Sequence, residues 1–282
     1  MLENIQYWVL KRIAHSEPKG LDSSVYRRKN KLKTLLGDDV FELTRNKVVI
    51  DFGCGTGQES VELAENGARL VIGVDIQERS LCQARARASL AEVEDRCVFS
   101  TQAPESADVI ISLDSFEHFR DPAAILNQMW ELLKPGGTLL VSFGPVWYHP
   151  LGGHLFSVFP WAHLLFSEKA LIRWREDLRD DGAQSFEEVA GGLNRMTIGK
   201  FLKIVEASQF KTKQFMAVPI RRMAAVHNRW TQEFTTATVR CRLRKPSAAR
   251  SAQGLPSQTG NASGVLENEV GKVRPLRRPQ SK

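Results

Sequence analysis

The chain has 282 residues, of which 42% are hydrophobic and 25% charged, the composition of an ordinary globular protein with a sizeable core. Its formal charge of +7 is concentrated near one end: ten basic and two acidic residues lie between residues 240 and 282, so the rest is close to neutral. A neutral folded region argues against a protein that binds nucleic acid over a wide surface. The four cysteines lack paired spacing, which favours free thiols in a reducing compartment over a disulfide framework.

The apolar segments of the chain are short. Residues 7–10 are too few for the apolar part of a signal peptide, and residues 155–166 are too few to span a bilayer. We therefore predict a cytoplasmic protein. Residues 1–46 are predicted as an N-terminal helical segment, and residues 246–282, rich in Ser, Gly, Pro, Gln and Arg, as a disordered basic tail.

Short β-rich runs alternate with helical stretches, which is typical of a parallel sheet covered on both faces. Five parallel strands are predicted at residues 48–51, 70–75, 96–100, 108–113 and 138–143. Two further strands, at residues 210–220 and 233–243, are predicted to form an antiparallel pair that closes the sheet edge. The predicted fold class is α/β: a Rossmann-like seven-stranded sheet, mostly parallel with an antiparallel C-terminal strand, in one domain over residues 47–245.

Between the fourth and fifth strands, Asp121 is placed to cap a helix whose first turn holds Pro122. Leu133 is expected near the end of the apolar face of this helix, and residues 135–137, Pro-Gly-Gly, are expected to stop it. After the fifth strand the chain is much longer than an ordinary crossover. An inserted lid or acceptor region is therefore predicted over residues 145–209.

The most informative segment is the end of the first strand, where the chain runs into Gly53, Gly55 and Gly57. Because glycine lacks a Cβ, this backbone can take positive φ angles and approach a ligand closely. A dinucleotide-binding loop would have its third glycine at the position of Gln58. A carboxylate at the mouth of the loop, here Asp51, would repel a pyrophosphate and attract a ligand with an ammonium and a sulfonium group. S-adenosylmethionine (SAM) is such a ligand.

Asp75 ends the second strand, where an acid can accept hydrogen bonds from both hydroxyls of a ribose. These segments resemble the class I SAM-dependent methyltransferases, particularly the type 11 methyltransferase domain family. Four motifs in the family's order carry the resemblance, at residues 51–57, Asp75, 112–118 and 132–137. The loop after the third strand lacks the Gly-Asp often found in this family, so Gln102 is taken as its substitute for the adenine contacts.

The resemblance implies SAM as the cofactor. It assigns the cofactor contacts to nine residues: Asp51, Gly53, Cys54, Gly55, Gly57, Asp75, Ile76, Gln102 and Leu113. Cys54 is interpreted as a small packing residue, because no base is arranged to activate its thiol. His118 follows the fourth strand at the ligand-binding edge and is the best-placed candidate for a catalytic base, with a packing histidine as the alternative.

The inserted region begins with seven aromatic residues and three histidines between residues 145 and 175. Its place after the fifth strand predicts a lid over the acceptor pocket, with Tyr148, His154 and Trp161 as candidate acceptor-binding residues. Two alternatives are that the rings extend the core, or that they dock on a membrane surface. The three histidines share no helical face, so no metal site is predicted.

The predicted activity is that of an enzyme that transfers a methyl group from SAM to a small-molecule acceptor, with O-methylation slightly favoured because many acceptors in this branch are hydroxyls. The alternatives are an RNA or protein methyltransferase, a non-catalytic SAM-binding protein and a nicotinamide-dependent oxidoreductase. Residues 113–116 lack the Asn/Asp-Pro-Pro-aromatic motif of enzymes that methylate base nitrogens, and Gln58 counts against the oxidoreductase. The predicted partners are a small-molecule acceptor and, weakly, a membrane surface, without specific nucleic acid; the oligomeric state stays open.

Overall fold

The architecture is a seven-stranded mixed sheet, given by a computed structural model that describes residues 2–14, 30–179, 182–189 and 192–247. In chain order the strands are β1 (Val48–Phe52), β2 (Leu70–Val74), β3 (Cys97–Ser100), β4 (Ala107–Leu113), β5 (Leu133–Phe143), β6 (Lys211–Pro219) and β7 (Thr236–Arg244). Their order across the sheet is β3-β2-β1-β4-β5-β7-β6. The first five strands are parallel, and β7 is antiparallel to β5 and β6. The predicted α/β, Rossmann-like fold class is confirmed.

Helices cover both faces of the sheet. In chain order they are α1 (Leu2–Ile13), α2 (Lys31–Leu36), α3 (Val40–Thr44), α4 (Gln58–Glu65), α5 (Glu78–Leu90), α6 (Pro122–Leu132), α7 (Ala162–Leu165), α8 (Glu168–Glu176), α9 (Ile198–Ala207) and α10 (Gln232–Thr235). The helices α6 and α9 pack on one face, and α2 to α5 pack on the other. Because the parallel strands are buried on both faces, a strand such as β1 consists almost entirely of apolar residues.

The turn from α6 into β5 is tighter than predicted. The Asp121 carboxylate caps α6 by accepting hydrogen bonds from two backbone N–H groups, as expected. Leu133, however, lies in β5 and not on the helix, because its backbone pairs with Ala107 of β4. The Pro-Gly-Gly segment is therefore part of the strand and does not end the helix.

The antiparallel pair β6 and β7 closes the sheet as predicted, but β7 begins at Thr236. The prediction that this strand begins at Glu233 was wrong, because Glu233 belongs to α10. Its carboxylate accepts hydrogen bonds from the backbone N–H groups of Ile198 and Gly199 at 3.0 and 2.8 Å. Glu233 thus satisfies the free donors at the start of α9, a long-range contact that a strand pattern does not indicate.

The inserted region has a small core of its own, separate from the two faces of the sheet. Phe156, Trp174 and Phe186 are buried there together with Leu10 of α1. The Trp174 indole N–H donates to the carbonyl of Ala14 at 2.9 Å, which fixes α8 to the end of α1. These rings serve packing, in agreement with the alternative that they extend the core.

Several predictions lie outside the described part of the chain. The predicted tail, 246–282, is described only for its first two residues, and the N-terminal segment is not described between residues 15 and 29. Within the described residues, none of the helices combines the length and the apolar character needed to cross a membrane.

Candidate active site

The glycine loop between β1 and α4 has three residues with positive φ: Gly53 at +86°, Gly55 at +51° and Gly57 at +74°. A Cβ on Gly53 would come within 2.5 Å of the Ser115 hydroxyl, and one on Gly57 within 2.6 Å of the Ala84 side chain. A Cβ on Gly55 would meet no atom within 4 Å. Gly53 and Gly57 are therefore required by packing inside the protein, whereas Gly55 borders open space in which a ligand can approach the backbone.

Asp75 lies directly beside this open space. Its Oδ2 accepts a hydrogen bond from the Gly55 backbone N–H at 2.9 Å, and its Oδ1 accepts one from the Gln77 N–H at 2.8 Å. Each carboxylate oxygen has a further lone pair, so Asp75 can accept two more hydrogen bonds. The next residue, Ile76, is 90% exposed and presents an apolar surface at the same edge.

Asp51 lies beneath the loop, and the prediction that its carboxylate is at the mouth was wrong. In the sheet, Asp51 pairs with Gly73 on one side and Ile111 on the other, and it is only 2% exposed. Its Oδ2 accepts a hydrogen bond from the Ser60 hydroxyl at 2.6 Å. Burial, reinforced by the nearby charge of Glu59, raises the pKa of Asp51 to about 7.

Lys31 at the start of α2 reaches the same edge and was missed by the sequence analysis. Its Nζ lies 2.9 Å from the Glu59 carboxylate and 3.2 Å from the Asp114 carboxylate. Burial opposes the charge of Lys31, but the two carboxylates outweigh burial and raise the pKa of the ammonium group. A cation that belongs to the protein is thus held among the acids that surround the glycine loop. No local sequence pattern indicates this contact.

The segment after β4 presents a buried acid, Glu117. One oxygen, Oε1, accepts a hydrogen bond from the Gly144 N–H at 3.1 Å, at the point where β5 leads into the inserted region. The other, Oε2, is buried without a hydrogen-bond partner among the described residues. Burial, with the charge of Asp114, raises the pKa of Glu117 to about 8. At neutral pH this side chain is therefore largely protonated.

His118, the candidate base, is held by a residue of the inserted region, Gly192. Its Nδ1 lies 2.7 Å from the carbonyl oxygen of Gly192, which can only accept a hydrogen bond, so Nδ1 donates and, in the neutral ring, Nε2 has the lone pair. The His118 ring packs edge-on against that of His154, with centroids 5.2 Å apart. Burial lowers the pKa of His154 to about 3, and its Nε2 has no hydrogen-bond partner among the described residues. The fold thus brings together one predicted catalytic residue and one predicted acceptor-binding residue.

Asn194 holds this arrangement in place and was not identified from the sequence. Its side-chain amide donates to the carbonyls of Phe116 at 2.6 Å and Phe119 at 2.8 Å, and its backbone N–H donates to the carbonyl of Glu117 at 3.0 Å. One residue of the inserted region therefore fixes the backbone on both sides of His118.

The other two acceptor-binding candidates also lie together. The Trp161 indole N–H donates to the carbonyl of Tyr148 at 2.9 Å. The Tyr148 ring is 37% exposed and packs against Phe234 with centroids 5.2 Å apart. Phe234 belongs to the connection between β6 and β7, which the sequence analysis had read as strand. This connection forms part of the same surface because β6 ends at the edge where β5 ends.

The remaining predicted cofactor contacts differ in their burial. Cys54 is buried, and burial raises the pKa of its thiol, as expected of a packing residue. Leu113 is buried at the end of β4, whereas Gln102 is exposed in the loop after β3. Among the described residues, no three His, Cys, Asp or Glu side chains are grouped so that they could hold a metal ion.

The comparisons with known proteins concern the region that contains these features. A protein family described as Methyltransferase domain matches residues 43–147. The ubiquinone biosynthesis O-methyltransferase of Neisseria meningitidis serogroup C is 38% identical over 105 residues, 35% of this chain and 44% of that protein. The enzyme of the same name from Idiomarina loihiensis is 41% identical over 102 residues, 34% of this chain and 42% of that protein.

A solved structure, that of the [4+2]-cyclase SpnF, is similar with a TM-score of 0.50 and 16% identity, over 88% of this chain and 94% of that one. At this identity the similarity shows the fold alone. The matched family covers β1 to β5 and the glycine loop, so the similarity to methyltransferase domains lies in the part of the chain that contains the candidate site. The chain spans less than half the length of the curated relatives that it matches.

Proposed function

We propose that this chain transfers a methyl group from SAM to a small-molecule acceptor, with a hydroxyl oxygen as the favoured site. The observation that carries the proposal is the open space at Gly55, bordered by the Asp75 carboxylate and underlain by Asp51. A backbone that a ligand can approach closely, with acids around it, suits a cationic nucleoside. The name of the O-methyltransferase relatives supports oxygen as the acceptor atom.

In this proposal the cofactor is held by residues from four strand ends, those of β1 to β4. Asp75 accepts hydrogen bonds from the two ribose hydroxyls, using the lone pairs that Gly55 and Gln77 leave free. Ile76 and Leu113 contact the adenine, and Gln102 is the candidate for its polar edge. Gly53, Cys54 and Gly57 shape the loop. Asp51 attracts the cation from below by its charge and makes no direct contact.

When bound, SAM supplies a methyl group on a positively charged sulfur, a reactive group that needs a close and aligned nucleophile. The chain's own contribution is to place the acceptor and to take up its proton. His118 Nε2 has a free lone pair and accepts the hydroxyl proton. The Gly192 carbonyl, which accepts the hydrogen bond of Nδ1, stabilises the protonated ring.

The acceptor is proposed to lie between His118 and the inserted region. Tyr148 and Trp161 present aromatic faces, and His154, whose ring packs against that of His118, is the third acceptor-binding candidate. Phe234 extends this surface. The two exposed leucines of α7, Leu164 and Leu165, support the weak membrane contact as a further part of the proposal.

The test is methyl transfer from isotopically labelled SAM to the separated small-molecule, RNA and protein fractions of a cell extract. We expect label in a small molecule, and a loss of at least about 100-fold in rate for His118→Gln. The matched control is His227→Gln, because His227 also bonds through Nδ1, to Thr235, but is not among the residues assigned to the acceptor or the cofactor. Label in RNA or protein alone would favour the alternative acceptors, and SAM binding without transfer would favour a non-catalytic protein. Binding of NAD without binding of SAM would contradict the proposal.

A further inference from the structure

The connection between β6 and β7, residues 220–235, presents large apolar side chains to water. Two antiparallel neighbouring strands can be joined by a few residues, so this connection is much longer than their pairing requires. Val226, Trp230 and Phe234 are exposed in it, and Trp230 is 78% exposed. The proposed methyl transfer makes no use of Val226 or Trp230.

These exposed side chains are continuous with those of α7. The Phe234 ring packs against the Tyr148 ring, and the Tyr148 carbonyl accepts the indole N–H of Trp161, the residue before α7. Several neighbouring apolar side chains, in contrast to single exposed residues, indicate a binding partner. We name this surface the apolar rim, formed by Tyr148, Leu164, Leu165, Val226, Trp230 and Phe234.

The connection between β6 and β7 carries more positive than negative charge. Its three arginines, Arg221, Arg222 and Arg229, are exposed, and none forms an ion pair with another described residue. Its one acid, Glu233, accepts hydrogen bonds from backbone N–H groups at the start of α9 through both carboxylate oxygens. The Arg229 guanidinium lies 4.5 Å from the centroid of the Trp230 ring, so a cation lies directly beside the most exposed ring of the apolar rim.

The other part of the apolar rim comes from a segment without charged residues. Residues 145–167, which include Tyr148 and α7, contain no Asp, Glu, Lys or Arg. The first acid that follows this segment, Glu168, pairs with Arg195. The two segments that form the apolar rim therefore carry three exposed arginines against one acid that caps α9, and such a surface attracts negative charge.

We propose that the apolar rim docks on the surface of an anionic lipid bilayer. The Trp230 ring and the leucines of α7 enter the boundary between headgroups and acyl chains, where rings with one polar group are favoured. Arg221, Arg222 and Arg229 bind the phosphates of the headgroups. A bilayer of this kind matches both properties of the surface, because it has an apolar layer directly beneath a layer of negative charge.

Docking places the proposed acceptor site at the bilayer. Tyr148 belongs both to the apolar rim and to the candidate acceptor residues, so an apolar acceptor can pass between the bilayer and the site without crossing water. This consequence rests on the proposed function, whereas docking itself requires neither SAM nor an acceptor. A failure to dock is therefore distinguishable from a failure to transfer methyl groups.

The test is quenching of tryptophan fluorescence by vesicles with brominated acyl chains, using the full chain without SAM. The vesicles contain phosphatidylglycerol and phosphatidylcholine, or phosphatidylcholine alone. We expect the anionic vesicles to quench the part of the fluorescence that is lost in Trp230→Phe. Binding to phosphatidylcholine alone should be at least about tenfold weaker, and binding to the anionic vesicles should weaken as salt increases. Quenching reports insertion, whereas the basic residues 246–282 can attract an anionic vesicle without insertion.

Trp8→Phe is the matched control for the inserted ring. Trp8 is 55% exposed and also lies against an arginine, Arg12, at 4.2 Å, but it belongs to α1. Quenching by the anionic vesicles should decrease in Trp230→Phe and stay unchanged in Trp8→Phe. The opposite result would show that α1 inserts, and it would overturn the proposal.

The double variant Arg221→Gln with Arg222→Gln is expected to weaken binding to the anionic vesicles at least about tenfold. Its control is Lys211→Gln with Lys213→Gln, which removes the same charge from exposed residues at the other end of β6. That end is roughly 25 Å away, beyond the screening length of about 10 Å at 0.1 M salt, so binding should weaken less than about threefold.

Two results would overturn the proposal. The first is that anionic vesicles do not quench Trp230, and a mass that increases with protein concentration would then show that the apolar rim binds a second copy of the chain. The second is that the two double variants weaken vesicle binding equally, since binding would then follow the net charge of the chain and not this surface.

Discussion

The Lys31 ammonium lies 2.9 Å from the Glu59 carboxylate and so joins the first turn of α2 to the first turn of α4. This contact crosses the edge of the sheet at which the glycine loop lies. Both side chains are largely shielded from water, with exposed fractions of 22% and 14%. The ion pair is therefore less screened than a surface pair and fixes α2 beside the proposed cofactor site.

Lys31→Gln is expected to lower the free energy of unfolding by about 1–3 kcal/mol, because it leaves Glu59 and Asp114 without their cation. Lys33→Gln, at an exposed position of the same helix, is the control and is expected to change the free energy of unfolding by less than about 0.5 kcal/mol. Urea unfolding measures both variants. Equal effects of the two substitutions would show that the ion pair makes no special contribution.

Substitutions at two glycines of the loop are expected to affect different properties, one mainly stability and the other mainly SAM binding. Gly57→Ala forces a Cβ against Ala84 and Phe99 and should destabilise the protein by roughly 2–4 kcal/mol. Gly55→Ala meets no protein atom, so only the cost of its positive φ is expected, about 1 kcal/mol. It should nonetheless weaken SAM binding at least about tenfold, because its methyl group enters the ligand space. Thermal unfolding and calorimetry check the two effects, and unaltered SAM affinity in Gly55→Ala would place the cofactor elsewhere.

The raised pKa of Asp51 predicts a dependence of stability on pH. Between its unfolded value near 3.8 and its folded value of about 7, the folded chain holds a proton that the unfolded chain has lost. The free energy of unfolding therefore falls as pH rises through this window, by about 4 kcal/mol in total from this group. Asp51→Asn is expected to remove that part of the slope, measured by urea unfolding from pH 4 to pH 8. An unchanged slope would mean that Asp51 titrates normally.

The same group should make SAM binding depend on pH. A cation favours the ionised form of Asp51, so affinity should rise as pH increases from 6 to 8. In Asp51→Asn this increase should be absent, while the affinity at low pH stays similar. Calorimetry at constant ionic strength measures the SAM affinity of the unaltered chain and of the variant at each pH. If the affinity of the variant also rises with pH, a group other than Asp51 causes the rise.

Asp75→Ala is expected to weaken SAM binding by roughly 1–3 kcal/mol, the cost of leaving the ribose hydroxyls and the Gly55 N–H without an acceptor. Asp95→Ala is a suitable control, since Asp95 is an exposed acid in the connection between α5 and β3. Affinity equal to that of the control would contradict the assigned ribose contact.

Asn194→Ala removes two hydrogen bonds to buried carbonyls and is expected to cost about 1–3 kcal/mol of stability. Because Asn194 acts by positioning the segment around His118, the rate of methyl transfer should fall while SAM affinity changes little. Leu202→Ala, on an exposed position of α9, serves as the control. A loss of SAM affinity without a loss of rate would rule out this positioning role.

Leu202 shows what helical spacing leaves undecided: the spacing of Ile198, Phe201, Leu202 and Val205 is typical of one apolar face of α9, but Leu202 is 38% exposed. The other three are buried, and the Thr197 side chain caps the helix. A short helix on a flat sheet buries only a narrow face. Whether a side chain at the border of that face is buried therefore depends on the neighbouring element. The first residues of β5 and β7 were mispredicted for a similar reason. The pairing of Leu133 with Ala107 sets the start of β5, and the helix that contains Glu233, the cap of α9, sets the start of β7.

The sequence by itself determined the order of strands and helices, the glycine loop and the acid that ends β2. These features depend on local rules: periodic burial, the freedom of glycine and the chemistry of strand ends. Only the tertiary structure decided that Asp51 is buried under the loop, that Lys31 closes a cluster of acids, and that Asn194 and Gly192 hold His118. Such contacts join residues that are far apart in the chain, and burial and hydrogen-bond geometry, which set their charge and position, exist only once the sheet is assembled.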